Sequence, residues 1–211
     1  MENSAIRIAE YLLQIKAIKL QPSNPFTWAS GWKSPIYCDN RKTLSFPEVR
    51  SYIRDSFVSL VGRLYPGAEM IAGVATGAIS HGALVADKMA LPFIYVRSGA
   101  KEHGLGNQIE GYYEKGQKVV VIEDLISTGG SSLNAVKALR DADCEVLGMT
   151  AIFTYEFKKA SDAFAAEKCI LHTLCSYSVL IETAVKAGYI TSEDVETLKK
   201  WRMDPSVWGV K

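Results

Sequence analysis

The sequence predicts an α/β protein: a parallel, doubly wound sheet flanked by helices, with a small hood subdomain over one end. Three observations predict it. Apolar runs at 69–74, 91–97, 118–122, 145–154 and 169–174 alternate with helical patterns, and repeated strand–helix order requires parallel strands. The run Val119 to Ile122 is β-branched throughout, as in a strand buried on both faces. The 211 residues suit one domain with a large core, and no linker, repeat or low-complexity stretch divides them.

Composition narrows the function classes. There are 24 Lys and Arg against 23 Asp and Glu, so bulk charge gives no reason to expect nucleic acid as a partner, and any anion site must be local. Cys38, Cys144, Cys169 and Cys175 show no Cys-x-x-Cys spacing, which fits reduced thiols in a cytoplasmic protein. The opening Met1-Glu2-Asn3-Ser4 is not a basic signal-peptide start, and no apolar run has membrane-spanning length.

In chain order, Ser4 to Ile18 reads as an amphipathic helix with Ile8, Leu12, Ile15 and Ile18 on one face. The stretch from about 20 to 41 is rich in aromatics, Pro, Ser and Gly. It predicts two short strands around a Ser30-Gly31 turn, with Pro35 on an edge. Glu48 to Leu64 is a second helix, with Val49, Ile53, Phe57, Leu60 and Leu64 inward, ended by Pro66-Gly67. A strand at Glu69–Val74 leads through the small-residue loop Ala75-Thr-Gly-Ala-Ile-Ser80 into a helix to Met89, with His81 on that helix's face.

Leu91–Arg97 is a further strand. Residues 98–115 have no apolar periodicity and many glycines, the pattern of a functional loop that can close as a lid. Arg97, Lys101 and His103 would offer it positive charge. A strand at Glu145–Thr154, a short helix at Ser161–Glu167 and a strand at Cys169–Leu174 follow. Two closing helices are marked by Ile181, Ala184 and Val185, then by Val195, Leu198 and Trp201. His172, inside an apolar strand, reads as a core histidine.

The stretch 118–132 carries the chemistry. After the strand come Glu123, Asp124, Leu125 and Ile126, then Ser127, Thr128, Gly129, Gly130 and Ser131, with a helix starting near Ser131 or Ser132. Glycines let backbone N–H groups turn toward an anion, and the helix start adds unpaired N–H groups and its positive dipole end. The hydroxyls of Ser127, Thr128 and Ser131 add donors. The result is a phosphate cup. The carboxylates beside it would repel a phosphate, so they suit sugar hydroxyls or a metal. The stretch lacks the Gly-Lys-Ser/Thr ending of a P-loop and the Gly-x-Gly-x-x-Gly turn of dinucleotide folds.

Glu-Asp-x-x-Ser-Thr-Gly-Gly-Ser resembles the phosphoribosyl-pyrophosphate (PRPP) loop of type I phosphoribosyltransferases. The hood wording, Phe26-Thr27…Ser30-Gly31…Ser34-Pro35-x-Tyr37-x-Asp39-x-Arg41, resembles that of orotate phosphoribosyltransferases. Arg97-x-x-x-Lys101-x-His103-Gly104 matches the same family's flexible catalytic loop. The resemblance covers nearly the whole chain. It implies transfer of the phosphoribosyl group of PRPP to orotate, giving orotidine 5′-monophosphate and pyrophosphate in UMP biosynthesis.

By that resemblance, residues 123–131 with Arg97, Lys101 and His103 bind PRPP, and loop 75–80 touches the pyrophosphate. Lys101, His103, Arg97 and Asp124 are catalytic, and Ser127 also meets orotate. Mg2+ is carried by PRPP rather than by dedicated protein ligands, and the lid reaches into a neighbouring subunit's site, implying a homodimer. Ala29, Ser98 and Tyr155 stand where one branch has Lys, Lys and an orotate-binding Arg, which leaves the hold on the orotate carboxylate open, with backbone N–H groups of the hood as the expected donors. Two other readings remain: the same transfer to another base, or a PRPP-sensing regulator that binds nucleic acid. The hood disfavours the first, and the absence of a basic arm disfavours the second.

Overall fold

The computed structural model describes residues 2–28, 31–97, 99 and 108–208. Its centre is a six-stranded sheet. β5 (Met70–Val74), β6 (Phe93–Val96), β8 (Lys118–Ile126), β9 (Glu145–Thr154) and β10 (Leu171–Ser176) are parallel, in the spatial order β10-β9-β8-β5-β6. The expected α/β architecture is therefore present.

One strand departs from it. β7 (Ile109–Glu110) runs antiparallel on the β6 edge, inside the stretch expected to be loop throughout. Ile109 is buried there, an isolated apolar residue that gives no periodic signal. Lys101 and His103, the expected lid cations, lie outside the described residues, as do Ala29 and Ser98.

Helices cover both faces. α1 (Glu2–Gln14), α2 (Pro47–Leu64), α3 (Ile79–Met89), α6 (Tyr177–Lys186) and α7 (Ser192–Met203) pack around one core that includes Ile71, Val120 and Ile122. α4 (Gly130–Asp141) and α5 (Lys158–Ala166) cover the other, which includes Met70, Ala72, Val119 and Val121. Successive residues of β5 and β8 thus face opposite cores, which explains their unbroken apolar runs. Burial of apolar surface is worth roughly 25 cal/mol per Å², so both layers stabilise the fold.

Three local readings are corrected. α1 ends at Gln14, not Ile18: Lys16 takes a left-handed turn at φ 55°, and Ile18 begins β1 (Ile18–Leu20). In α2, Val61 is fully buried and Leu60 only half-buried, because the core-facing stripe advances by four residues from Phe57. His172 is half-buried and meets Tyr65 edge-on at 6.2 Å rather than sitting in the core.

The hood holds two small antiparallel pairs. β2 (Phe26–Thr27) and β3 (Lys33–Ser34) form the expected hairpin, while β1 pairs with β4 (Ile36–Cys38). Trp28 anchors the hood on an aromatic cluster, 5.4 Å from Tyr155 and 5.6 Å from Trp201. All four cysteines are unpaired, and among the described residues no helix is long and apolar enough to cross a membrane.

Candidate active site

From β5 the chain winds outward to β6, and from β8 it winds the other way to β9 and β10. The switch point therefore falls between β5 and β8. α3, which follows β5, and α4, which follows β8, lie on opposite faces, so a crevice opens at the carboxyl ends of those two strands.

A cavity of about 420 Å³ occupies this crevice. Its walls come from three segments: Cys38, Asp39 and Arg41 of the hood, Val74 to Gly77 after β5, and Glu123 to Ser132 along the end of β8 and the start of α4. The Ala75–Thr76 peptide bond in the middle wall is cis. Gly77 lies so close to Asp124 that a Cβ there would overlap the carboxylate.

The loop after β8 forms as a cup. β8 continues through Ile126, so the two acids sit within its last turn of pleat rather than after it. Gly129 takes φ +85° at the helix N-cap, and a Cβ on it would come within 2.9 Å of the Phe164 ring. No side chain caps α4 and no acid lies in its first turn. Its first N–H groups are thus left for an anion.

The two acids differ. Glu123 is 4% exposed: one carboxyl oxygen accepts from the Ser132 hydroxyl (2.8 Å) and the other from the Asp124 N–H (2.9 Å). Burial, and then the charge of Asp124, push its pKa up to about 8, so it holds its proton to higher pH than an exposed carboxyl does. Asp124 is half-buried and faces the cavity beside Gly77.

Behind the cavity runs a buried chain of hydrogen bonds. The Asn40 side-chain amide donates to the Asp124 carbonyl (2.6 Å), and the Thr43 hydroxyl donates to the Asn40 carbonyl (2.5 Å). With that proton committed, Thr43 accepts from His81 Nε2–H at 3.1 Å. His81, on α3, is buried, and burial lowers its pKa to about 4, so the ring is neutral.

A phosphoribosyl transferase domain family matches residues 54–183, which span β5 through β10. Orotate phosphoribosyltransferase from Bacteroides fragilis is 58% identical over 208 residues, covering 99% of this chain and 98% of that one. The chain belongs to the orotate phosphoribosyltransferase family. The enzyme of that name from Bacillus caldolyticus is 57% identical over 202 residues, covering 96% of this chain and 98% of its own. Among solved structures, an orotate phosphoribosyltransferase from Aeropyrum pernix superposes with a TM-score of 0.76 at 27% identity, covering 87% of this chain and 99% of that chain. Leishmania donovani UMP synthase superposes with a TM-score of 0.80 at 25% identity, covering 95% of this chain and 42% of the longer one.

Against the residues expected for an orotate phosphoribosyltransferase, Glu123, Asp124, Leu125, Ser127, Thr128, Gly129 and Ser131 line the cavity together. Gly130 opens α4 beside them. Ile126 turns its side chain into the core, so it can offer a ligand only its main chain. Arg97 does not line the cavity. It follows the last residue of β6, and its guanidinium lies 3.5 Å from Glu110 of β7. Tyr155 is buried in the aromatic cluster and stacks on Phe157 at 5.3 Å.

Sequence reasoning missed Asn40 and the cavity wall of Cys38, Asp39 and Arg41. Their signal was present in the Asp39-x-Arg41 end of the hood wording, an acid and a base two residues apart in an aromatic stretch whose only other charged residue is Lys33.

Proposed function

We propose that the protein transfers the 5-phosphoribosyl group of PRPP to orotate, forming orotidine 5′-monophosphate and pyrophosphate in UMP synthesis. The observation that carries this reading is the switch-point cavity. An uncapped glycine turn and a solvent-facing carboxylate meet there under a hood that family members share.

The chemistry follows from these parts. The ring nitrogen of orotate bonds to C1 of the ribose, and its proton is lost. The C1–O bond to pyrophosphate breaks, and its electron pair leaves with the pyrophosphate. Positive charge builds on the ribose ring, as in glycoside cleavage. Asp124 lies where it can accept a hydrogen bond from a ribose hydroxyl and stabilise that charge, while Glu123, enclosed and doubly bonded, holds the strand end in place. Ser127, Thr128, Gly129, Gly130 and Ser131 hold the 5′-phosphate through hydroxyls and N–H groups, and Ser127 also meets the base. Arg97, Lys101 and His103 neutralise the departing pyrophosphate, and closure over the site excludes water.

Mg2+ fits this donor set. Among the described residues no three His, Cys, Asp or Glu side chains are grouped to hold a metal, but the cavity offers oxygen donors, with Asp124 foremost. A hard cation that keeps several waters suits a substrate-borne ion, and when bound it would offset diphosphate charge. The unpaired thiols support a cytoplasmic location, and the family's lid supports a homodimer with shared sites. The test is the loss of orotate absorbance on mixing with PRPP and Mg2+, with uracil and adenine as controls. Consumption of a control base instead of orotate would overturn the reading.

A further inference from the structure

We propose that Arg41 grips the carboxylate of the incoming base and so distinguishes an anionic pyrimidine from a neutral one. This rests on the cavity being the site of transfer to orotate, which is uracil bearing a carboxylate.

Besides the enclosed Glu123, the cavity walls hold two carboxylates, Asp39 and Asp124, and among the described residues one cation, Arg41. An acidic wall repels an anionic base unless a positive group faces it. Tyr155, at the position where one branch of the family has an orotate-binding Arg, is a neutral ring enclosed by Trp28, Phe153, Phe157 and Trp201. It brings no charge, so the cation must come from elsewhere.

Arg41 has the required geometry. Its Nε donates to Asp39 Oδ1 at 2.8 Å, and no hydrogen bond from its two terminal amino groups is found among the described residues. A guanidinium held by Nε keeps its end-on pair of donors for a second carboxylate, and the planar fork matches carboxylate geometry. Its mount is rigid. The preceding residue, Asn40, is buried, bonded to the Asp124 carbonyl and braced by Thr43 and His81. The base reader is thereby fixed to the same strand end as the acid that faces the ribose. Arg41 itself is 62% exposed, so removing it leaves the core untouched, and filling the cavity would strengthen its contact by excluding water.

Steady-state kinetics on Arg41→Ala and Arg41→Lys test this. Arg41→Ala should raise KM for orotate by about 10- to 100-fold, the usual worth of a charge-assisted hydrogen-bond pair. KM for PRPP, and for pyrophosphate in the reverse reaction, should stay within about twofold, and the preference for orotate over uracil should shrink by the same factor as the KM rise. Arg41→Lys should fall between, because it keeps the charge and loses the fork. Thermal midpoints equal to wild type would exclude a folding defect. If the wild-type protein consumes another base and not orotate, the proposed function and this inference fall together. If it consumes orotate and the Arg41→Ala KM for orotate is unchanged, or KM for PRPP or pyrophosphate rises instead, the inference alone is overturned.

Discussion

Glu123 and Asp124 are chain neighbours, yet strand alternation gives them different work: one is enclosed under Ser132, the other faces the cavity. The enclosed acid carries a measurable signature. Its folded pKa, about 8, is raised above the ordinary 4.5, so the folded protein keeps a proton that the unfolded chain releases. The contribution of the protonated form is whole below about pH 4.5 and is lost as pH rises through about 8. Glu123→Gln keeps the shape and cannot ionise. Thermal midpoints followed by circular dichroism should therefore diverge between the two proteins from pH 5 to 9, the wild type losing on the order of a few kcal/mol more. Parallel curves would mean that Glu123 is already ionised at low pH. The acids were legible in the sequence as a pair, but their division was not, because it depends on Ser132 being turned back over β8 by the helix start. Likewise His81 reads only as a helix-face histidine until Thr43, 38 positions away, is found against it.

At the scale of elements, the cup between β8 and α4 was the most legible part. A β-branched run, two acids and a glycine turn are local signals, and the observed helix starts within two residues of the expected position. Its two central residues should respond differently to substitution. Thr128→Ala removes one donor among several to a phosphate unchanged by the reaction, so it should raise KM for PRPP with kcat and stability nearly intact. Gly129→Ala forces a Cβ toward Phe164 at φ +85°, so it should also cost about 1–3 kcal/mol in urea denaturation. Equal stability of the two variants would contradict the left-handed turn. What local pattern could not give was pairing at a distance. β1 joins β4 across the hood, and β7 joins the sheet through two residues, because such short strands are specified by their partners rather than by their own periodicity. The over-long first helix has the same cause: Ile18 is apolar at helical spacing but is buried through β4.

At the scale of the whole molecule, alternating strands and helices predicted the sheet, and its winding in two directions from β5 and β8 explains where the cavity lies. The family lid adds a prediction beyond one chain. Inactive Lys101→Ala subunits mixed with inactive Asp124→Asn subunits should recover part of the activity, since a mixed dimer can assemble one intact site from two chains. A mixture that stays inactive after confirmed subunit exchange would show that each chain closes its own site. The most direct test of the central claim, that this cavity performs transfer from PRPP to orotate, is the rate of orotidine 5′-monophosphate formation by wild type and Asp124→Asn side by side. The account predicts product from the wild type only with PRPP and Mg2+ present, and a rate lower by about 10²–10³ for the variant at unchanged thermal stability. Equal rates from the two proteins, or no product from the wild type, would contradict it.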